Sequence, residues 1–151
     1  VPEDRSLFFG LTVDENLRLA QRPGGHDPFE LFPELARLRS RKAGLLSGGE
    51  QQMLTLARAL CSNPTVMLVD EMSLGLAPII VERLFGTLQR FARDMELAVL
   101  LVEQHVHLAL AHADRAYVMV HGSIATEGSV ADLTSRWTEI EASYLGHATA
   151  V

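Results

Sequence analysis

Two clusters of polar residues follow apolar segments of the chain, and both contain side chains suited to proton transfer or cation binding. Asp70-Glu71 comes directly after the apolar run 66–69, and Glu103-Gln104-His105 follows the apolar run 97–102. Such runs are typical of strands covered on both faces in a parallel sheet. A helical pattern lies between them, which predicts a right-handed strand–helix–strand unit. Both clusters are therefore expected at the same edge of the sheet, where ligands of open parallel sheets bind.

An adjacent Asp-Glu pair at the end of a buried strand suits the hydrolysis of a magnesium-bound nucleotide. One carboxylate holds the cation, often through water, and the next orients or deprotonates the attacking water. General-base assistance of this kind accelerates a reaction by roughly 10² to 10⁴. Acidic residues also begin many solvated loops, so Asp70-Glu71 alone favours neither interpretation.

A third segment of chemical interest is the string Leu46-Ser47-Gly48-Gly49-Glu50-Gln51-Gln52. Ser47 and Glu50 have the spacing of a capping box, which predicts the start of a helix. A cap does not require the two glycines. Without a Cβ atom they let backbone N–H groups approach an anion, at the positive end of the helix dipole. We therefore expect a phosphate-facing surface at this helix start.

Together, this string and the apolar strand ending in Asp70-Glu71 resemble the signature sequence and the Walker B segment of ABC ATPases, and the resemblance covers essentially the whole chain. It implies an α/β fold: a partial P-loop NTPase (ABC ATPase) fold with a parallel sheet core, a helical subdomain, and a C-terminal hairpin plus helices. ATP and Mg²⁺ are the implied cofactors. Residues 1–151 would form a single incomplete domain, with the helical subdomain at about 12–45 and the signature helix, Walker B core and C-terminal part at about 46–151.

The resemblance also implies roles for individual residues. Asp70 looks like the magnesium-associated carboxylate and Glu71 like the catalytic glutamate. Glu3 stands where the family usually has a glutamine that senses magnesium and the transmembrane partner, and Gln104 stands where most members have a switch histidine. The implied nucleotide-binding residues are Ser47, Gly48, Gly49 and Gln51. The loop that crosses the dimer interface is similar to Ser73, Leu74, Gly75 and Leu76.

Several segments resemble one branch of the family, the ATPases of branched-chain amino-acid importers: Val1-Pro2-Glu3, residues 73–78, Val102-Glu103-Gln104 and Tyr144-Leu145-Gly146. This branch implies a peripheral protein at the cytoplasmic face of the cell membrane. Its partners would be a second ABC ATPase subunit and transmembrane permease subunits, which we expect to meet the helices between Thr12 and Leu38. His105, one residue beyond the switch position, is an alternative replacement for the switch histidine.

The composition narrows the possible functions. The longest unbroken apolar run, 97–102, is far shorter than the roughly 20 residues that cross a bilayer, so any membrane role must go through a partner. A net charge of −6 argues against a broad nucleic-acid surface, and we expect no nucleic-acid partner. The single cysteine, Cys61, suits a reducing cytosol and core packing. The chain begins at Val1 rather than Met, and we expect it to be a fragment.

Two rival functions stay open. An ABC ATPase that works on chromosomes or in repair would carry a long coiled coil before the signature, whereas residues 4–46 hold no sustained heptads. ABC proteins of translation, which usually carry two such modules, stay compatible with the sequence. The other rival is a non-catalytic fragment kept for dimerisation or for docking a membrane partner. An upstream phosphate-binding loop in the same reading frame would favour the enzyme. A coding region that naturally starts near Val1 would favour the interaction fragment.

The 151-residue chain by itself is expected to show no measurable ATP hydrolysis and little affinity for ATP. Nucleotide binding in this family needs a Gly-rich loop ending in Gly-Lys-Ser or Gly-Lys-Thr. The single lysine here, Lys42, is followed by Ala43. In an ABC dimer the signature of each subunit contacts ATP that is bound by the other subunit. This chain would therefore supply a signature to such a site, but not the Gly-rich loop that binds the phosphates. Calorimetric titration with ATP tests this, and saturable micromolar binding would contradict it.

Overall fold

The computed structural model describes residues 1–2 and 6–144, except for the side chains of residues 143 and 144. Two units can be distinguished, Val1–Gln104 and His105–Val151. Glu3, the expected magnesium-sensing position, lies outside the described residues. The same holds for Leu145-Gly146, which belong to a segment with importer likeness.

The first unit opens with short helices. α1 spans Val13–Ala20, α2 spans Pro28–Leu31, and 3₁₀ helices follow at Pro33–Leu38 and Ala43–Leu45. The spacing of Thr12 and Glu15 predicts a capping box at the start of α1. The structure confirms it, because Glu15 N–H donates to the Thr12 hydroxyl at 3.2 Å and Thr12 N–H donates to the Glu15 carboxylate at 2.7 Å.

Apolar residues at every third position from Phe29 to Leu38, with Pro33 inside the pattern, predict a helix that begins at Pro33. Residues 33–38 form a 3₁₀ helix that has no side-chain cap at its N-terminus. Six residues between Phe32 and Arg39 leave room for few i to i−4 hydrogen bonds, and short connecting segments of this kind often adopt the tighter 3₁₀ form. The apolar spacing still serves packing, because Leu35 and Leu38 are buried.

A fully buried asparagine organises the turn that precedes α1. Asn16 donates from Nδ2 to the carbonyl oxygens of Phe8 and Thr12, both at 3.0 Å, and its Oδ1 accepts from Phe8 N–H at 3.0 Å. These bonds satisfy a polar side chain that would otherwise be costly to bury. Asn16 therefore fixes the chain direction between residues 8 and 16.

The rest of the first unit is the predicted strand–helix–strand arrangement with one helix before it. α3 spans Gly48–Leu60, β1 spans Val66–Asp70, α4 spans Pro78–Asp94 and β2 spans Ala98–Val102. β1 and β2 pair in parallel, with Val66 opposite Ala98 and Asp70 opposite Val102. The parallel pairing is thus confirmed. Buried apolar side chains hold α3 and α4 in place: Leu54, Leu56, Leu60, Val81, Leu84, Phe85, Leu88 and Phe91.

The expectation that both faces of these strands are covered is wrong for the described residues. Met67 and Val69 of β1 are buried, whereas the alternate residues of the two strands are 53 to 62% exposed. These exposed residues are Val66, Leu68, Leu100 and Val102. Alternate side chains of a strand point to opposite faces. One face of the two-stranded sheet is therefore buried in β1 and half-buried in β2, and the other face is open, although the sequence is apolar on both.

Cys61, just after α3, is buried as expected from its apolar neighbours. Burial raises the pKa of the Cys61 thiol to about 11, and the negative charge of Asp27 acts in the same direction. The thiol therefore stays protonated at neutral pH. This state fits packing rather than reactivity.

The second unit contains the predicted hairpin. After α5 at Val106–His112, β3 at Arg115–Val120 and β4 at Ser123–Ser129 pair antiparallel. The sequence pattern predicts the turn at Gly122-Ser123. The turn falls one residue earlier, on His121-Gly122, and both residues have positive φ, as a two-residue hairpin turn requires. α6 at Val130–Ser135 and α7 at Trp137–Tyr144 follow. Across the described residues, no helix combines the length and apolar character needed to cross a membrane.

Candidate active site

The carboxyl ends of β1 and β2 meet, and they bring the predicted polar clusters together. Asp70 pairs with Val102 in the sheet register, and Glu71 N–H donates to the Val102 carbonyl at 2.9 Å. Glu71 begins the following turn with φ of 44°, in the left-handed region of backbone conformation that residues other than glycine rarely adopt. The prediction that both clusters lie at one edge of the sheet is confirmed.

The side chains of Glu71 and Gln104 are in direct contact. Gln104 Nε2 donates to Glu71 Oε1 at 2.5 Å, across the gap between the two strand ends. Glu71 is half-buried, and Gln104 and Asp70 are exposed. An amide that donates to one carboxylate oxygen restrains the orientation of the carboxylate. The contact thus links the expected catalytic glutamate to the residue at the switch position.

The residues after Glu71 form a tight turn that contains the expected dimer loop. Leu74 N–H donates to the Glu71 carbonyl and Leu76 N–H to the Ser73 carbonyl, both at 3.2 Å. Gly75 has φ of 70°, which glycine adopts without steric cost. Within this loop Ser73 is buried and Leu74 is half exposed.

Sequence reasoning placed Glu103 in the polar cluster and assigned it no role. Glu103 Oε1 accepts from Ser73 N–H at 3.0 Å, and Glu103 Oε2 accepts from the Ser73 hydroxyl at 2.8 Å. Both of its carboxylate oxygens therefore bind Ser73, at the start of the expected dimer loop. The sequence feature that pointed to Glu103 was its position directly before Gln104 at the same strand end. No sequence feature identified Ser73 as its hydrogen-bond partner.

The signature residues cap α3 as predicted. Ser47 N–H donates to Glu50 Oε2 at 2.8 Å, the Ser47 hydroxyl donates to the same oxygen at 2.9 Å, and Glu50 N–H donates to that hydroxyl at 3.4 Å. The hydrogen bond from Ser47 N–H lowers the pKa of the Glu50 carboxyl. A carboxylate at this end of the helix is also favoured by the helix dipole.

Gly49 has a packing role that the sequence did not reveal. A Cβ atom added to Gly49 would lie 2.8 Å from Cγ2 of Ile80 in α4, closer than real Cβ contacts allow. Gly48 and Gly49 are both half-buried. Access of an anion was the expected reason for a glycine here. The close approach of the α3 N-terminus to α4 is a second reason, and it applies without any ligand.

Gln51 uses its side chain to hold the segment before the signature. Its Nε2 donates to the carbonyl oxygens of Ala43 at 3.2 Å and Leu46 at 3.3 Å. The hydrogen bonds of Ser47, Glu50 and Gln51 described above thus join residues 43–50 into one local structure. Glu71, Gln104, Ser73 and Glu103 form the other cluster, at the strand ends.

Asp70 and Glu71, at the end of β1, provide donor atoms that fit Mg²⁺. In nucleotide sites this ion binds one or two carboxylates together with substrate phosphates and water. Asp70 and Glu71 are adjacent, and the exposure of Asp70 leaves it accessible to a hydrated cation. The described residues contain no group of three or more His, Cys, Asp or Glu side chains that could hold a metal by themselves. Phosphate oxygens would therefore complete the coordination of a Mg²⁺ ion held by Asp70.

Comparisons with known proteins agree with the motifs. Residues 1–73 match the sequence profile of the ABC transporter family. Over 154 residues, the chain is 42% identical to the high-affinity branched-chain amino acid transport ATP-binding protein BraG of Pseudomonas aeruginosa, covering 97% of this chain and 65% of that protein. The chain is thus similar to members of the ABC transporter family over nearly its whole length. A probable branched-chain amino acid transport ATP-binding protein, LivF of Archaeoglobus fulgidus, is 38% identical over 141 residues, covering 88% of this chain and 60% of LivF.

The solved structures support the same family. The ATP-binding cassette MJ1267 of an ABC transporter superposes with a TM-score of 0.72 at 25% sequence identity, over 93% of this chain and 64% of the cassette. The predicted partial ABC ATPase fold is thus confirmed. The chain spans less than two thirds of the length of each of these three proteins.

The packing role of Gly49 can be tested by adding one methyl group. Gly49→Ala is expected to lower the free energy of unfolding by about 1 to 3 kcal/mol, because the new Cβ overlaps Ile80. In the Ile80→Ala background, where the overlapping atom is gone, Gly49→Ala should cost less stability than it does in the wild-type protein. The comparison is between Gly49→Ala/Ile80→Ala and Ile80→Ala alone. Urea denaturation followed by circular dichroism measures each value.

Gly86→Ala in the middle of α4 is the matched control. A Cβ at Gly86 meets nothing within 4 Å, so the substitution should leave stability unchanged or raise it by about 0.4 to 1 kcal/mol. If Gly49→Ala behaves like Gly86→Ala, the close approach to α4 does not constrain residue 49.

Proposed function

We propose that the protein to which this chain belongs is the ATP-binding and ATP-hydrolysing subunit of an ABC importer for branched-chain amino acids. The chain would contribute the signature and the Walker B carboxylates. The observation that carries the proposal is the 2.5 Å hydrogen bond between Gln104 Nε2 and Glu71 Oε1 at the joined ends of β1 and β2. The names of the relatives BraG and LivF support the substrate class.

The roles follow from the chemistry of each side chain. Asp70 would hold Mg²⁺, which when bound neutralises charge on the nucleotide phosphates. Glu71 would orient and deprotonate the attacking water with the oxygen that Gln104 does not engage. Gln104 cannot itself accept a proton near neutral pH, because an amide is not a base at that pH. Its role would be to hold the Glu71 carboxylate in place and to donate a hydrogen bond toward the reacting phosphate.

The signature would act on nucleotide held by a second subunit. In the proposed dimer, backbone N–H groups at the start of α3 face a phosphate, with the helix dipole favouring the negative charge. The Ser47 hydroxyl donates a hydrogen bond to the Glu50 carboxylate in this structure, so a phosphate oxygen would compete with that carboxylate for this hydrogen bond. The loop Ser73-Leu74-Gly75-Leu76 would meet the same second subunit.

The remaining partners are proposed from the family. Transmembrane permease subunits would bind the helical segment between Thr12 and Leu38, which carries both apolar and charged side chains. The protein would then lie at the cytoplasmic face of the membrane without entering it.

Glu71→Gln in the full-length protein is the direct test of this function. The amide cannot deprotonate water, so the kcat of ATP hydrolysis should fall by roughly 10²-fold or more, the scale of general-base catalysis. Binding of ATP should change little, because the substitution keeps the size of the side chain and removes no phosphate contact. Steady-state phosphate release and equilibrium titration with labelled ATP measure the two quantities.

Glu82→Gln on the exposed surface of α4 is the matched control, and it should retain the wild-type rate. Unchanged hydrolysis in Glu71→Gln would contradict the role given to Glu71. A wild-type full-length protein that neither binds nor hydrolyses ATP would instead favour the non-catalytic interaction fragment. Loss of leucine, isoleucine and valine uptake in cells that carry only Glu71→Gln would support the substrate class, and unaffected uptake would oppose it.

A further inference from the structure

Glu103 makes a two-point contact with the first residue of the dimer loop. Its two carboxylate oxygens accept from the backbone N–H and the hydroxyl of Ser73, at 3.0 and 2.8 Å. Ser73 is 7% exposed and Glu103 is half-buried, so water competes little for these bonds. Hydrogen bonds to an ionised carboxylate are stronger than bonds between neutral groups.

The same strand end also holds Glu71, two residues before Ser73. The Val102 carbonyl accepts from Glu71 N–H at 2.9 Å, and Gln104 Nε2 donates to Glu71 Oε1 at 2.5 Å. Three consecutive residues, 102–104, therefore bind the turn formed by residues 71–73 through four hydrogen bonds. Both oxygens of Glu103 are engaged in these contacts, which favours a structural use of this carboxylate over proton transfer.

The turn needs such support because of its backbone. Glu71 has φ of 44°, and a non-glycine residue in this region persists only where its surroundings hold it. Met72, between the two anchored residues, is 2% exposed and fixes the middle of the turn through packing. Release of Ser73 from Glu103 would leave the turn held by the hydrogen bonds of Glu71 with Val102, Gln104 and Leu74, and we expect the turn to relax toward commoner φ values.

We propose that Glu103 is a positioning residue for ATP hydrolysis, which holds Ser73 and thereby fixes both the orientation of Glu71 and the start of the dimer loop. The proposal rests on the function proposed above. Glu103 and Gln104 are neighbours in the chain, and each binds one end of the turn 71–73. A change in the dimer loop on contact with the second subunit is therefore transmitted to the carboxylate that acts on water.

The test uses the full-length protein and compares Glu103→Ala, Glu103→Gln and Ser73→Ala. Glu103→Ala should lower kcat by about tenfold or more, the effect of losing charged hydrogen bonds that hold a catalytic group. KM for ATP should stay within about twofold, because the variant removes no nucleotide contact. Glu103→Gln should retain more activity than Glu103→Ala, since its amide oxygen still accepts from Ser73 N–H.

The double variant Glu103→Ala/Ser73→Ala reports whether the two residues act together. Its loss of kcat should be smaller than the product of the two single losses, because the same contact is removed in each. Hydrogen exchange of residues 71–76 should be faster in Glu103→Ala than in the control Glu82→Ala. Glu82 is exposed on α4, away from the turn in the chain.

The outcomes separate this inference from the proposed function. Wild-type kcat in the folded Glu103→Ala protein, with Glu71→Gln inactive, overturns the role of Glu103 and leaves the ATPase assignment intact. A Glu103→Ala protein that only melts at a lower temperature, with unchanged kcat and exchange in residues 71–76, also overturns it. If the wild-type protein lacks ATPase activity, the proposed function fails and the positioning role fails with it, whatever the exchange rates are.

Discussion

Parallel pairing of β1 with β2 is the constraint on which the candidate site depends. The register sets Asp70 opposite Val102, so the residues that follow each strand emerge side by side. Two segments 30 or more residues apart in sequence then bind one another through Glu71 with Gln104 and Ser73 with Glu103. A shift of the register by one residue would turn the alternating side chains of either strand to the other face. The polar contacts at the strand ends would then be lost.

Close packing of two helices is the second constraint, and it acts on the signature. Gly49 lies at the start of α3 where α4 approaches through Ile80, and a methyl group would not fit there. The same residue is expected to let a phosphate approach the helix N-terminus. Packing and ligand access thus favour glycine at one position for two separate reasons. The capping box of Ser47 and Glu50 stabilises the first turn of α3. Gln51 connects this turn to residues 43–46 through hydrogen bonds to the carbonyl oxygens of Ala43 and Leu46.

Much of this arrangement could be predicted from local pattern. The capping boxes at Thr12 and Ser47 and the hairpin depend on short-range spacing, and the structure contains all of them. The parallel pairing joins distant residues, but it follows from the strand–helix–strand order. The 3₁₀ form of residues 33–38 could not be predicted from apolar spacing, because Leu35 and Leu38 can be buried from either helix type. The exposed face of the sheet was missed for a related reason. The apolar residues Leu68 and Leu100 indicate that this face of the sheet can be buried. They do not indicate whether another element of the chain covers it. The partners of Glu103 and Gly49 were missed because both contacts join residues about 30 positions apart.

The central claim is that the strand-end carboxylates and the helix start of the signature belong to one nucleotide site built from two subunits. A crystal structure of the full-length Glu71→Gln dimer with ATP and Mg²⁺ tests it most directly. The account predicts that Asp70 and residue 71 lie beside the γ-phosphate of one bound nucleotide, with Gln104 within hydrogen-bonding reach. It also predicts that Ser47 and the N-terminus of α3 from the other subunit contact the same phosphate. A dimer in which the start of α3 faces solvent or protein, with no nucleotide phosphate near it, would contradict the account.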